Sequence, residues 1–221
     1  MTAEFEGEGG DQLRSAAASV FADRLPTAEK YWEALANAGL ERGLIGPREV
    51  DRLWGRHILN CAVIAELLED GESVVDIGSG AGLPGIAVAI AKPTVQMTLV
   101  EPLLRRATFL EEVVSELGID VRVIRGRAEE KSVVKIAGRA DVVTSRAVAP
   151  LDRLGKCSTP LLRPGGRLIA IKGSSAAEEI ATHLGTLGRI GLSGLRVAQC
   201  GTDALPTPTT VVLATRVGGR R

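Results

Sequence analysis

The chain has 221 residues, enough to bury one substantial core with at most a small appendage, and its 45% hydrophobic and 24% charged content is that of an ordinary globular protein. Lys plus Arg and Asp plus Glu number 27 each, and the resulting net charge of zero argues against strong non-specific binding to nucleic acid. Cys61, Cys157 and Cys200 are widely separated and form no C-x-x-C pair, so neither a disulfide framework nor a metal site is expected.

Residues 1–10 are acidic and rich in glycine, which predicts disorder. Glu4, Glu6 and Glu8 stand where a secretory signal would be basic, so the expected location is the cytoplasm. Apolar residues at helical spacing then predict helices over 11–23 and 27–38, with Pro26 and Gly39 as punctuation, and Pro47 opens a third helix to about residue 69. Residues 11–70 are read as a small N-terminal helical subdomain. It holds Tyr31, Trp32 and Trp54, half of the six aromatics; core packing is the expected use, with base stacking as the alternative. In the third helix His57 is a candidate substrate contact, although a lone helical histidine more often packs or caps.

From residue 72 the pattern changes to strands at about 73–77, 96–101, 120–125, 140–145 and 167–172, with helices at 84–91, 103–118, 128–136 and 150–161 between them. That alternation predicts an α/β, Rossmann-like domain over 71–217, with a mostly parallel sheet, helices on both faces and the ligand crevice beyond the strands' C-terminal ends. A helix at 175–187 and strands at 195–200 and 209–216 complete a seven-stranded sheet with an antiparallel hairpin, which is common among S-adenosylmethionine (AdoMet) methyltransferases. The longest uncharged run, 77–91, contains four glycines and a proline and falls short of a membrane span. Charge is uneven: residues 1–70 carry 7 basic and 13 acidic residues, net −6, and residues 71–221 carry 20 and 14, net +6, so a polyanion would meet the second part.

The chemistry centres on Val74-Val75-Asp76-Ile77-Gly78-Ser79-Gly80-Ala81-Gly82-Leu83-Pro84-Gly85, a buried strand, a tight loop and a helix start. Glycines at 78, 80 and 82 let a ligand approach the main chain, and the following helix start offers free N–H groups to an anion. Gly80 to Gly85 satisfies the dinucleotide pattern G-x-G-x-x-G, which keeps a nicotinamide-dependent oxidoreductase open. Asp76 through Gly82 instead give an acid followed by G-x-G-x-G, the loop of AdoMet methyltransferases. The second reading is favoured because Gly78 follows the strand directly, and a dinucleotide pattern begun there would need its third glycine at Leu83.

Glu101 ends the second strand, 23 residues beyond Gly78, where a carboxylate can accept hydrogen bonds from both ribose hydroxyls of a nucleoside; a solvated acid is the alternative. Asp76 either orients the amino acid end of the ligand or is a polar strand terminus. Ala128 and Glu129 follow the third strand, where the fold contacts adenine, although acids suit any helix start. Arg146 ends the fourth strand and Lys172 the fifth, each fit to hold a ligand or RNA phosphate or to form a structural ion pair. His183 has no supporting context. There is no Asn/Asp-Pro-Pro-aromatic motif, Pro-Cys pair, G-x-S-x-G elbow or metal cluster, so a methyl acceptor here would need no strong base.

Arg56-His57-Ile58-Leu59, Val75 through Ile86, Arg127-Ala128-Glu129-Glu130, Ser145-Arg146-Ala147-Val148-Ala149 and Lys172-Gly173, in this order, resemble the bacterial RsmG (glucose-inhibited division protein B) family over about residues 30–215. The resemblance implies AdoMet-dependent methylation of guanine-N(7) in 16S ribosomal RNA, as naked RNA or in the small ribosomal subunit, by a monomer. It carries cofactor contacts onto Gly78, Leu83, Ala128, Glu129 and Arg146; Ser79, Gly80 and Gly82 belong to the same loop. Arg146, Lys172, Arg127 and His57 would position the RNA. Family members often carry Asn-Leu-Thr where this chain has Gly43-Leu44-Ile45, and an acid at Asn60; both departures fall on the N-terminal side of the substrate pocket. A non-catalytic nucleoside-binding module is the remaining alternative, motivated by the absence of a recognisable base.

Overall fold

In the computed structural model, which describes residues 10–146 and 149–218, the sheet order is β3-β2-β1-β4-β5-β7-β6. The strands are β1 Ser73–Ile77, β2 Gln96–Glu101, β3 Val121–Arg125, β4 Ala140–Arg146, β5 Leu162–Ile171, β6 Leu192–Cys200 and β7 Thr209–Arg216. The first five run parallel, and β7 enters antiparallel between β5 and β6. Strand order reverses between β1 and β4, which opens the crevice at their C-terminal ends. The seven-stranded α/β sheet with its closing hairpin is the architecture expected from the sequence. β5 begins earlier than expected, at Leu162, with a register shift against β4 between Ala140 and Val142. At Gly166 a Cβ would press on the carbonyl oxygens of Arg163, Ala140 and Asp141.

Five helices belong to this part: α4 Gly85–Ala91, α5 Leu104–Leu117, α6 Lys131–Ala137, α7 Leu151–Ser158 and α8 Ala176–Arg189. They sort onto two faces. Val75, Ile77, Val100, Val143, Leu168 and Ala170 pack with α6, α7 and α8. Val74, Met97, Leu99, Val142 and Ile169 pack with α4, α5 and the N-terminal helices in one continuous core. Because side chains alternate along a strand, Asp76, Glu101, Thr144 and Arg146 share the second face.

The N-terminal region comprises α1 Gly10–Phe21, α2 Leu25–Ala34 and α3 Asn60–Ala62, joined by other helical windings. Gly10 already belongs to α1; the rest of the expected disordered stretch lies outside the described residues, as do Ala147 and Val148 of the Ser145–Ala149 motif. The expected third helix is not uniform. It runs as a 3₁₀ segment Pro47–Arg52, a π segment Leu53–Leu59, α3 and a 3₁₀ segment Val63–Leu67. The π winding buries Leu53, Trp54, Ile58 and Leu59 together. Tyr31 and Trp54 are core residues, Trp54 meeting Phe21 edge to face at 6.3 Å.

Candidate active site

The loop after β1 is built from its own backbone. Gly78 and Ser79 donate to the Val100 carbonyl (2.8 and 3.3 Å), and Gly82 and Leu83 donate back to Ser79 (2.7 and 3.1 Å). Gly80 and Gly82 have φ of 59° and 97°, values that favour glycine. A Cβ on Gly80 would meet nothing nearer than the Gly78 carbonyl at 3.8 Å, whereas one on Gly82 would lie 2.9 Å from the Tyr31 hydroxyl. Gly80 therefore faces open space, whereas Gly82 is pressed by Ile86 of α4 and by Tyr31 of α2. Tyr31 is fully buried and its hydroxyl donates to the Ala81 carbonyl at 2.9 Å.

Glu101, 1% exposed, uses one carboxylate oxygen to accept from the Gly80 amide (2.9 Å) and the other to accept from the Leu103 amide (3.0 Å). No cation pairs with it among the described residues. Each oxygen keeps a lone pair for a further donor.

Asp76 lies beneath the loop and is not among the residues that line the two hollows over the strand ends. Its two oxygens accept from the Gly85 amide (3.2 Å) and the Thr144 hydroxyl (3.1 Å), while Ser79 Oγ donates to its main-chain carbonyl (2.9 Å). Burial pushes its carboxyl up to about 7, against the hydrogen bonds that lower it. In this structure the residue ties strand, loop and α4 together.

Two connected hollows lie over these strand ends. The larger, about 560 Å³, is bounded by Gly78, Ser79, Gly80, Leu83, Glu101 and Arg146, with Leu44, Ile45, Leu103 and Arg106 at its rim. The smaller, about 190 Å³, shares Gly78 and Pro102 with it and is lined by Arg127, Ala128, Glu129, Arg153 and Cys157. The structure thus brings together Gly78, Ser79, Gly80, Leu83, Glu101 and Arg146 in one hollow and Arg127, Ala128 and Glu129 in the next. Glu129 accepts a long contact from Cys157 Sγ at 3.8 Å.

Lys172 is elsewhere. Arg146 pairs in register with Ile171, so Lys172, one residue further, points to the opposite face. There its ammonium donates to Glu179 (2.8 Å) and the Ala149 carbonyl (3.0 Å). Arg146 reaches the N-terminal helices instead, and its Nη1 donates to His57 Nδ1 at 3.0 Å. His57 Nε2 lies 2.6 Å from Glu49 Oε2. Burial lowers the His57 imidazole from its ordinary value, partly opposed by the Glu49 hydrogen bond, and that same bond lowers Glu49. Sequence reasoning missed Glu49 and the rim residues Leu44, Ile45, Leu103 and Arg106. The departure at Gly43-Leu44-Ile45 was a signal, because it falls on the cleft wall.

The family model described as rRNA small subunit methyltransferase G matches residues 24–203. The chain belongs to that family. Ribosomal RNA small subunit methyltransferase G of Rhodococcus jostii is 60% identical over 220 residues, covering 98% of this chain and 97% of its own length. The protein of the same name from Mycolicibacterium smegmatis is 57% identical over 201 residues, covering 91% and 86%. Among solved structures, a methyltransferase from Pyrococcus furiosus superposes with a TM-score of 0.55 at 16% identity, covering 71% of this chain and 80% of that one. Aeropyrum pernix fibrillarin in complex with natively bound S-adenosyl-L-methionine gives 0.53 at 19% identity, covering 72% and 74%. At such identities the likeness speaks for the fold alone. Family membership sets aside the oxidoreductase and non-catalytic readings. Gly85, the last glycine of the dinucleotide pattern, serves packing: a Cβ there would collide with Leu99.

Proposed function

We propose that the protein transfers the methyl group of AdoMet to guanine-N(7) of 16S ribosomal RNA. The observation that carries this reading is the Gly80–Glu101 junction: a bare glycine facing the cleft beside a buried carboxylate with no cation partner. Such a carboxylate suits the two hydroxyl donors of a ribose. Gly78, Ser79 and Leu83 would border the amino acid end, and Ala128 and Glu129 in the adjoining hollow would border adenine. When bound, AdoMet supplies an electrophilic methyl group on a sulfonium.

Guanine-N(7) offers an in-plane lone pair and releases no proton when methylated. The residues of this chain therefore need to bind, orient and exclude water, and proximity can provide most of the acceleration. Arg146 lines the larger hollow, and among the described residues only one of its N–H groups is engaged, by His57. Around the mouth, Arg105, Arg106, Arg125, Arg127 and Arg153 have no ion-pair partner among the described residues. Leu103 and Leu104, which precede Arg105 and Arg106 in the chain, are 53% and 60% exposed. Unpaired cations beside apolar side chains suit the phosphates and unstacked bases of RNA. No helix among the described residues is long and apolar enough to cross a membrane, and a cytoplasmic monomer acting on naked RNA or the small subunit fits this reading.

Calorimetry with AdoMet and tritium transfer from labelled AdoMet to rRNA test the proposal. Saturable binding and multiple turnovers are expected; saturation by NAD with AdoMet ineffective would contradict it.

A further inference from the structure

We propose that Glu49 and His57 are a positioning pair for Arg146, that they hold its guanidinium at the cofactor cleft, and that the neutral imidazole is the working state. The inference rests on the functional reading above for what Arg146 meets, and on geometry for how it is held. Arginine has only donors, so the 3.0 Å contact from Nη1 requires His57 Nδ1 to be the acceptor. The single proton of the neutral ring is then on Nε2, where it donates to Glu49 at 2.6 Å. Both ring nitrogens are used, and each partner can make only the bond it makes. Arg146 has no carboxylate partner among the described residues; Glu49 supports it through the ring. Its remaining N–H groups are left for an anion in the cleft, such as the AdoMet carboxylate.

The path of the chain explains the arrangement. Alternation in β4 sends Arg146 to the face covered by the N-terminal helices, and the π segment carries His57 toward it from Leu53–Leu59. Glu49 comes from the preceding 3₁₀ segment and is flanked by Arg52 and Arg56, each 3.8 Å away. On the far side, the groups that feel the Arg146 charge are Tyr31, Cys61 and Asp76. Protonation of His57 would remove the lone pair that Arg146 uses and set two cations in contact. The guanidinium would have to leave.

Two readouts on the full chain test this. The first does not depend on methyl transfer. The chain has two histidines, His57 and His183, so ¹⁵N NMR of the wild type and His57→Gln assigns the His57 ring. Expected is a neutral ring protonated on Nε2, whose titration moves to lower pH in Glu49→Gln because the supporting charge is gone. A ring protonated on Nδ1 would overturn the proposal.

The second is AdoMet affinity and methyl transfer followed against pH. His57→Ala should weaken AdoMet binding about 10-fold or more, the scale of a lost charge-assisted hydrogen bond. His57→Gln, whose amide can accept from Arg146 and donate to Glu49, should retain more of the affinity than His57→Ala. The loss of wild-type activity toward acid pH should be reduced in His57→Gln to whatever Asp76 contributes, and should move to lower pH in Glu49→Gln. If His57→Ala fails to fold, His57→Gln decides alone: an acid limb the same as the wild type's overturns the pair. A wild type that binds no AdoMet would remove the functional reading and leave the NMR result standing.

Discussion

Glu101 is the residue at which the loop and the second strand meet, and its chemistry gives two mutational expectations. Glu101→Gln keeps one acceptor and loses the charge, so AdoMet affinity should fall about 10-fold to 100-fold in calorimetry, with folding retained. Gly80→Asp should be more severe. Its φ of 59° lies in the left-handed region that aspartate tolerates, so the fold should survive, while the new side chain enters the cleft next to Glu101 and abolishes cofactor binding. Undiminished AdoMet affinity in Gly80→Asp would count against the loop assignment. Asp76 titrates for a different reason. Its folded value, near 7, lies above the unfolded value of 3.8, so the folded state holds the extra proton between these limits. Stability from this group is present below the lower limit and is lost as pH rises through the upper one. Asp76→Asn, which can still accept from Gly85, should melt higher than the wild type at pH 8, with the gap closing toward pH 5. Glu101 was legible in the sequence because it follows the glycine loop at a telling distance. Glu49 was not: an acid eight residues before a helical histidine looks like any other surface carboxylate until the winding of the chain is known.

At the scale of elements, the difference between Arg146 and Lys172 is a matter of parity. Both follow hydrophobic strands, and the sequence placed them in one row. The β4–β5 register pairs Arg146 with Ile171, and the one-residue offset turns Lys172 to the α8 side, where Glu179 holds it. Strand existence is readable from composition; the face of a terminal residue depends on a register that composition does not specify. The third helix shows the same limit, since its apolar spacing predicted a uniform α-helix and the chain instead changes winding three times. Tyr31 shows what the N-terminal helices do for the site. It was expected in the core, and it is there, yet its hydroxyl also reaches the Ala81 carbonyl. Tyr31→Phe should cost about 1 kcal/mol of stability or somewhat more, because the Ala81 carbonyl loses a hydrogen bond in a buried setting. Denaturant unfolding checks the cost, and AdoMet affinity should weaken several-fold in parallel. Unchanged affinity would mean that the helices support the loop without shaping it.

Across the whole molecule, charge separates two populations of cation. Arg167 pairs with Glu72 and Lys172 with Glu179, whereas Arg105, Arg106, Arg125, Arg127 and Arg153 form no ion pair among the described residues. The sequence count gives the +6 of residues 71–221 but not which of its cations are paired. Arg105→Ala with Arg125→Ala should weaken RNA binding and reduce the slope of log affinity against log salt by about 1 to 2, since each phosphate contact contributes a little under one. Filter binding at several salt concentrations measures this; an unchanged slope would move the RNA to another surface. The reading of this protein as a methyltransferase turns on which atom receives the methyl group. The most direct measurement is to incubate the protein with labelled AdoMet and small ribosomal subunits or 16S rRNA, then locate the product by mass mapping. The expected product is 7-methylguanosine; no transfer to either RNA, or a methyl group on any atom other than guanine-N(7), would contradict that assignment.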